Sequence, residues 1–493
     1  LVENEFGEPS SMDSLTEVLI PMQIKDLDPH SEYIPARSMQ AINESLEGEF
    51  DGIGIVFNAS TDTITVLSVI PKGPSSEAGV RPGDRIVKID GRVVAGQKIP
   101  QDSMVRLMRG KRGTRVMLGV KRAALNELVD IEVTRAPIEI HSIETSFMLD
   151  SEAKIGFVRL SQFARTSYSE MRNAIMNLRE EGLRGIIIDL RGNGGGFLDQ
   201  AILIANEFLP ENSLIVYTED RFGEQIKEYS RGNGGSTDLE IAILVDETSA
   251  SSSEILAGAI QDNDRGVIIG RRTFGKGLVQ SQIPFTDGSA IRLTVARYYT
   301  PSGRSIQRPY TNGDEMAYHM DIIDRYNRNE FFSADSIRFA DSQNLKTGGG
   351  RTVYGGGGII PDLFVPMDTN VNYLYFNRLI AKNVFGDWLA NYIDVNRTSL
   401  EAKYPTFEKF NKDFVVTDAM IDGIVKAGEK AGVKKDEKLL IPVLPSMKLQ
   451  IKALIARDLW NMNEMYQIMN EENDALKKGL EALKDGTYEK MLN

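Results

Sequence analysis

A chain of 493 residues has room for two to four domains, since single domains run ~100–200 residues, so one compact module is excluded. Hydrophobic residues at 41% and charged residues at 26% are ordinary globular values, and no stretch of the sequence approaches the ~20 apolar residues a membrane helix needs. Lys plus Arg total 57 against 70 Asp plus Glu, and the formal charge of −13 disfavours a phosphate-backbone partner.

The scarcest residues exclude more. There is no Cys, and the three histidines, His30, His141 and His319, stand far apart. Cysteine nucleophiles, thiolate zinc sites and disulfides are therefore impossible, and a His-rich metal centre would need three distant regions brought together. Chemistry has to rest on Ser, Lys, Asp and Glu. Because the sequence starts at Leu1 without Met, an N-terminal signal peptide or anchor is expected to have been removed.

In chain order, residues 1–45 read as a polar start, an amphipathic helix over 14–25 and a turn at Leu27-Asp28-Pro29-His30-Ser31. Short β-branched runs punctuated by Gly and Pro follow, at 53–57, 63–69, 85–89 and 115–120, with one helical stretch at 102–108. They define a small mixed β domain over 46–136. From 137 to about 395 the rhythm becomes strand, helix, strand: strands at 155–160, 185–189, 241–245 and 267–270, helices at 168–181, 201–208 and 254–260. Such alternation predicts a largely parallel sheet covered by helices. A hairpin over 278–285 and 290–298 turns at Asp287-Gly288, and a polar insertion over 312–350 precedes a Gly-rich loop at 355–358. Residues 396–493 read as helical. Ile451, Ile455, Leu459, Met462, Tyr466 and Met469 form one stripe, followed by a Lys- and Glu-rich tail. A face packed on the body is the plain account of that stripe; a dimer contact is the alternative.

Three segments could carry chemistry. In Thr248-Ser249-Ala250-Ser251-Ser252-Ser253-Glu254 a buried strand runs through a hydroxyl cluster into an apolar helix. Helix capping alone accounts for one or two of these serines. The functional account is a strand-to-helix turn that projects one hydroxyl beside N–H groups and a helix dipole able to stabilise an oxyanion. A serine needs a base, and Lys276 in Thr273-Phe274-Gly275-Lys276-Gly277-Leu278-Val279-Gln280 sits among apolar neighbours. Burial lowers a Lys pKa by as much as ~3–5 units, which makes a neutral amine available. The stretch from Gly270 to Lys276 also fits seven positions of a phosphate-binding loop; Gly277 fails the eighth, which needs a hydroxyl for magnesium, and a strand rather than a helix follows. The third segment, Asp189-Leu190-Arg191-Gly192-Asn193-Gly194-Gly195, follows a buried strand. It is a flexible turn or a strip of amides facing a substrate carbonyl. Arg231-Gly232-Asn233-Gly234-Gly235 repeats its letters without such a strand and reads as a surface loop.

Taken in order, these three segments resemble the C-terminal processing, or tail-specific, proteases of serine peptidase family S41. The resemblance extends to Leu27-Asp28-Pro29-His30-Ser31-Glu32-Tyr33, Tyr299-Thr300-Pro301-Ser302-Gly303-Arg304-Ser305 and Gly357-Gly358-Ile359-Ile360-Pro361-Asp362, and covers about residues 15–365. It implies an α/β multidomain protein: a core of ClpP/crotonase-like fold with an N-terminal helical segment, a PDZ domain and a helical C-terminal region. It makes Ser251, 25 positions before the lysine, the nucleophile, Lys276 the general base and Gln280 its orienting partner. An even separation puts Lys276 and Gln280 on one side of a strand, and a neutral amide can accept from the amine without holding it charged. The implied oxyanion donors are the amides of Gly194, Gly195 and Ser252.

The region 46–136 is similar to a PDZ module, with Gly52-Ile53-Gly54-Ile55 matching the loop and strand that receive a peptide C-terminus. Its Gly73–Asp84 segment holds two turns, which any β domain needs, and resembles protease-associated PDZ domains. The family's gating by this module makes Arg109 the expected coupling residue. The implied activity is endopeptidase cleavage of proteins selected by their exposed C-terminal tails, through an acyl-enzyme, with no metal or cofactor and no nucleic acid, in the bacterial envelope, most naturally the periplasm. Two other readings are a catalytically silent PDZ scaffold, against which the dyad residues count, and an acyl-thioester enzyme on a crotonase-like core, which leaves the Ser251, Lys276 and Gln280 spacing unexplained. The insertion and the residues after about 400 carry no legible motif; a cap, a homodimer surface through terminal helices or an adaptor platform would each account for them.

Overall fold

The structure is a computed structural model and describes residues 12–58, 63–70, 72–122, 127–338, 344–368 and 372–492. The chain divides into two compact units, each assembled from separated segments: one from 1–48, 141–367 and 473–493, the other from 49–140 and 368–472.

The first unit is built on a six-stranded sheet in the order Ile143–Asp150, Ile155–Leu160, Gly185–Asp189, Glu240–Val245, Val267–Gly270, Leu363–Phe364. The first pair is antiparallel and the others are parallel. Strands buried on both faces need apolar residues at every position, which is why Gly185-Ile186-Ile187-Ile188 and Ile241-Ala242-Ile243-Leu244-Val245 read as unbroken runs. Successive side chains take opposite faces. Ile186, Ile188, Ile241, Ile243 and Val245 pack under the helices Ser167–Glu180, Leu198–Phe208 and Ser252–Asp262. Ile187, Ala242 and Leu244 face the other way, onto Ala475, Leu476 and Leu483.

That second face is covered by the end of the chain. The Lys- and Glu-rich tail forms helices Asp474–Lys484 and Thr487–Leu492, so it belongs to the sheet's unit and not with the preceding helices as one region. Gly479 sets how close the first of these helices lies, since a Cβ there would stand 3.3 Å from Ile187 Cδ1. Lys484 pairs with Asp150 at 2.7 Å, and Asn473 Oδ1 accepts from Arg191 Nη1.

A second, antiparallel sheet runs Glu32–Ile34, Ala290–Tyr299, Leu214–Asp220, Gln225–Tyr229, with Leu278–Pro284 also on Ala290–Tyr299. The insertion holds the helix Glu315–Asn327, capped by Asp314, and the strand Asn344–Lys346 paired with Thr352–Tyr354. The loop at 231–235 is more than surface. Gly235 N–H and Ser236 Oγ donate to Glu207 Oε1, a carboxyl only 3% exposed at the end of a core helix.

The second unit joins two cores distant in sequence. The PDZ sheet runs Ile55–Asn58, Ile64–Val69, Arg85–Ile89, Arg115–Lys121, Leu128–Thr134, with Gln101–Met108 burying Met104 and Met108 against it. The helices between Leu374 and Met469 bury an apolar core that includes Phe376, Phe410, Ile424 and Ile451. The stripe expected over 451–469 is broken: Glu437–Leu459 ends at Trp460, and Asn461 caps a new helix, Met462–Met469. The helix Glu437–Leu459 is long and apolar enough by composition to cross a membrane, with mean hydropathy 1.5, which the sequence reading did not register. Here its Val443, Met447, Ile451 and Ile455 are fully buried within the helical core.

Candidate active site

The hydroxyl cluster stands where the strand Glu240–Val245 turns into the helix Ser252–Asp262. Ser251 holds the N-cap position with φ 56° and ψ −115°, a left-handed conformation that a non-glycine residue adopts at a cost of order 1–3 kcal/mol. Hydrogen bonding sorts the four serines. Ser249 Oγ donates to Leu190 O, Ser252 Oγ to Gly196 O and Ser253 Oγ to Asn193 O, all three buried. Ser251 is half-buried and, among the described residues, donates to no backbone carbonyl; its side chain faces the Tyr298 hydroxyl. The bonds that hold its neighbours also stitch the turn to the glycine strip, and Ala250 N–H adds one more to Asn193 O.

Within the strip, Gly195 cannot carry a side chain. A Cβ on Gly195 would lie 2.7 Å from Ser251 Cβ and 2.8 Å from Ala250 O, at φ 100°. Of the three expected oxyanion donors, one is corrected. Gly195 N–H is already given to Asn193 Oδ1 at 2.9 Å, because the buried Asn193 side chain folds back over the turn. The Gly194 and Ser252 amides carry no hydrogen bond among the described residues, and the latter opens the helix whose dipole favours negative charge.

Lys276 lies just before the strand Leu278–Pro284, with Gly275 and Gly277 letting the backbone pass close to residues 307 and 308. Burial, with help from Arg292, pushes its amine below the ordinary lysine range; Glu32, Glu254 and Asp28 oppose that shift. Lys276 Nζ donates to Gln280 Oε1 at 3.0 Å and makes no hydrogen bond to Ser251 among the described residues. Gln280 Nε2 donates in turn to the His30 carbonyl.

Sequence reasoning missed the groups that join these pieces. Glu254, fully buried, receives Ser251 N–H and Lys276 N–H on Oε2, both at 2.9 Å, and Thr273 Oγ1 and Gly275 N–H on Oε1. Burial raises its carboxyl to about 7, while those four donors pull it down. Its place three residues after Ser251, the spacing of a capping box, was the available signal. Tyr298, held neutral by burial, donates to the Lys276 carbonyl. His30, dismissed as a base, borders Lys276: burial first, then the Lys276 charge, lowers its imidazole to about 3, so the ring is neutral.

In the second unit, Ile53 O accepts from Ser75 N–H and Gly54 O from Ile70 N–H, with Gly54 at φ 73°. Among the described residues the Ile53 and Gly54 amides carry no hydrogen bond, and Gly52 and Ile55 end and begin the flanking strands. Arg109 stacks its guanidinium over the Phe50 ring at 4.3 Å.

An α/β sheet with a serine at a strained strand-to-helix turn, a buried lysine and a PDZ module defines a class, and comparison gives it a name. Residues 154–315 match peptidase family S41, 52–133 match the PDZ domain, and 375–461 match a family of unknown function. The chain is 39% identical over 298 residues to a carboxy-terminal-processing protease of Bartonella bacilliformis, covering 59% of this chain and 67% of that protein. It belongs to peptidase family S41. A probable CtpA-like serine protease of Staphylococcus epidermidis is 34% identical over 307 residues, 62% of this chain; the chain spans 61% of that relative's length. Among solved structures, the photosystem II D1 C-terminal processing protease is 26% identical, covering 73% of this chain and 84% of its own, with a TM-score of 0.39.

Proposed function

We propose that the protein is a serine endopeptidase in which Ser251 is the nucleophile, Lys276 the general base and Gln280 the group that holds the base. The observation that carries this is the sorting of the hydroxyl cluster. Three of four serines are tied to carbonyls, and the fourth sits strained on a helix N-terminus whose amide is open, on the same carboxylate clamp as a buried lysine.

The chemistry follows. A neutral amine has two N–H donors and one lone pair, so Lys276 can keep Gln280 on a donor while its lone pair turns to Ser251. Ser251 Oγ bonds to the scissile carbonyl carbon as its proton passes to Lys276 Nζ, and the Gly194 and Ser252 amides receive the developing oxyanion. Collapse breaks the C–N bond; the leaving amine takes the proton from Lys276 and an ester on Ser251 remains. Water, deprotonated by Lys276, then attacks that ester; the bond from the carbonyl carbon to Ser251 Oγ breaks, Oγ takes the proton back from Lys276 Nζ, and the new C-terminal carboxyl group is released. The open Ile53 and Gly54 amides suit a peptide carboxylate, with the peptide adding to the strand Ile55–Asn58, so exposed C-terminal tails are the proposed ligands.

Casein, as an unfolded substrate, tests the reading. Ser251→Ala and Lys276→Ala should each abolish cleavage while a fluorescent tail peptide binds with unchanged affinity. Cleavage by either variant at the parent rate would overturn it.

A further inference from the structure

The insertion over 312–350 supplies a part of the site that no matched motif explains. Its helix Glu315–Asn327 carries Tyr318, 3% exposed, whose hydroxyl lies 2.7 Å from His30 Nε2 and accepts from Gln307 Nε2 at 3.3 Å. The Tyr318 hydroxyl and His30 Nε2 share one hydrogen bond, whose donor is set by the imidazole tautomer. Tyr318 is gripped from several sides. Arg308 lies between it and Phe274, 3.8 Å from one ring and 3.9 Å from the other, and pairs with Asp321 one turn further along the same helix. His30 meets Tyr318 edge-on with ring centroids 5.1 Å apart.

His30 is also held from its own segment. Asp28 accepts from His30 N–H, Ser31 N–H, Ser31 Oγ and Thr294 Oγ1, which closes the turn at 28–31 and aims the His30 carbonyl at Gln280. One hydrogen-bonded chain therefore runs from Tyr318 through His30 and Gln280 to Lys276 Nζ. Gln307 doubles the link, since its Oε1 accepts from Gly277 N–H beside Lys276.

We propose that Tyr318 is a positioning residue for the base: through His30 it fixes the carbonyl that holds Gln280, and the insertion exists to build this wall of the site. This rests on the assignment of Ser251, Lys276 and Gln280 above. Tyr318 touches neither substrate nor reacting atoms in that scheme, so its effect must pass through Gln280, and that separates it from a residue that merely supports the fold.

The test is the rate at which a fluorophosphonate probe labels Ser251 in the full chain, together with casein hydrolysis. Tyr318→Phe, which removes one hydroxyl, should slow labelling by about two- to tenfold, the range for one lost hydrogen bond, and lower kcat with KM unchanged. Combined with Gln280→Ala it should slow labelling no further than Gln280→Ala alone. His30→Phe, which keeps a ring and removes Nε2, should reproduce Tyr318→Phe and serves if that variant folds poorly. Labelling of Tyr318→Phe at the parent rate, or the same fractional slowing in the Gln280→Ala background, overturns the inference. Absence of probe on Ser251 in the parent chain, or casein cleavage by Ser251→Ala, instead overturns the assignment beneath it and takes the inference with it.

Discussion

Lys276 illustrates how one residue's surroundings set its chemistry. Its amine is lowered chiefly by burial and next by Arg292, which lies on the neighbouring strand and is paired with Glu32 at 2.9 Å and with Gln282. Glu32, Glu254 and Asp28 raise it, so the protonation state is a balance between one cation and three carboxyls over a background of desolvation. A base must be neutral to act, and the acid limb of kcat/KM reports where it becomes so. Removing the Arg292 charge relieves the repulsion that disfavours the ammonium and leaves Glu32 unneutralised. Both effects raise the amine's pKa. In Arg292→Gln the acid limb should therefore move to higher pH, with lower activity at pH 7 and an unchanged alkaline plateau. A pH profile of casein hydrolysis reads this directly, and a limb that stays put or moves down would contradict the role given to Lys276.

At the scale of elements, the site is a joint between the helix Ser252–Asp262 and the loop that carries Lys276, and Glu254 is the pin. One oxygen holds an N–H from each side, and the other holds Thr273 and Gly275. Glutamine has nearly the same shape but exchanges one acceptor for a donor. Whichever way its amide turns, at least one buried N–H loses its partner, at about 1–3 kcal/mol each. Glu254→Gln should thus lower the melting temperature and reduce kcat by about a hundredfold, the scale at which small misplacements act. Calorimetry and casein kinetics check the two halves; parental values in both would remove Glu254 from the joint. This pin also marks the limit of what the amino-acid sequence discloses. The parallel strands are legible because burial on both faces demands runs such as Ile186-Ile187-Ile188, and Ser251 and Lys276 stand inside recognisable segments. Leu214–Asp220 alternates weakly and belongs to another sheet, and Asp474–Lys484 hides its apolar stripe among lysines and glutamates. His30 lies 250 residues from Gln280 and 288 from Tyr318, separations at which local pattern says nothing about contact.

For the whole molecule, the consequential fact is that the chain crosses between its two units four times, at 48, 140, 367 and 472. The PDZ segment and the helices of 368–472 share one unit, while the last 21 residues return to the catalytic sheet. Those residues bury Ala475, Leu476, Ala482, Leu483 and Tyr488 on a face that would otherwise expose Phe157, Ile187, Leu244 and Ile269. Losing even one large buried aliphatic side chain costs about 2–5 kcal/mol, against a total stability of about 5–15 kcal/mol for a domain. A chain cut after residue 367 therefore lacks more apolar contact than its sheet can forgo. It should aggregate or fail to label with fluorophosphonate. Replacing residues 373–472 by a flexible Gly/Ser linker, with 473–493 retained, removes 100 of the 126 residues that the cut removes but keeps the sheet covered. That linker variant should stay soluble and label at Ser251, because the groups assigned to the dyad, the clamp and the His30 wall all lie within the retained segments. If the two truncations behave alike, the closing helices are not what holds the catalytic unit together.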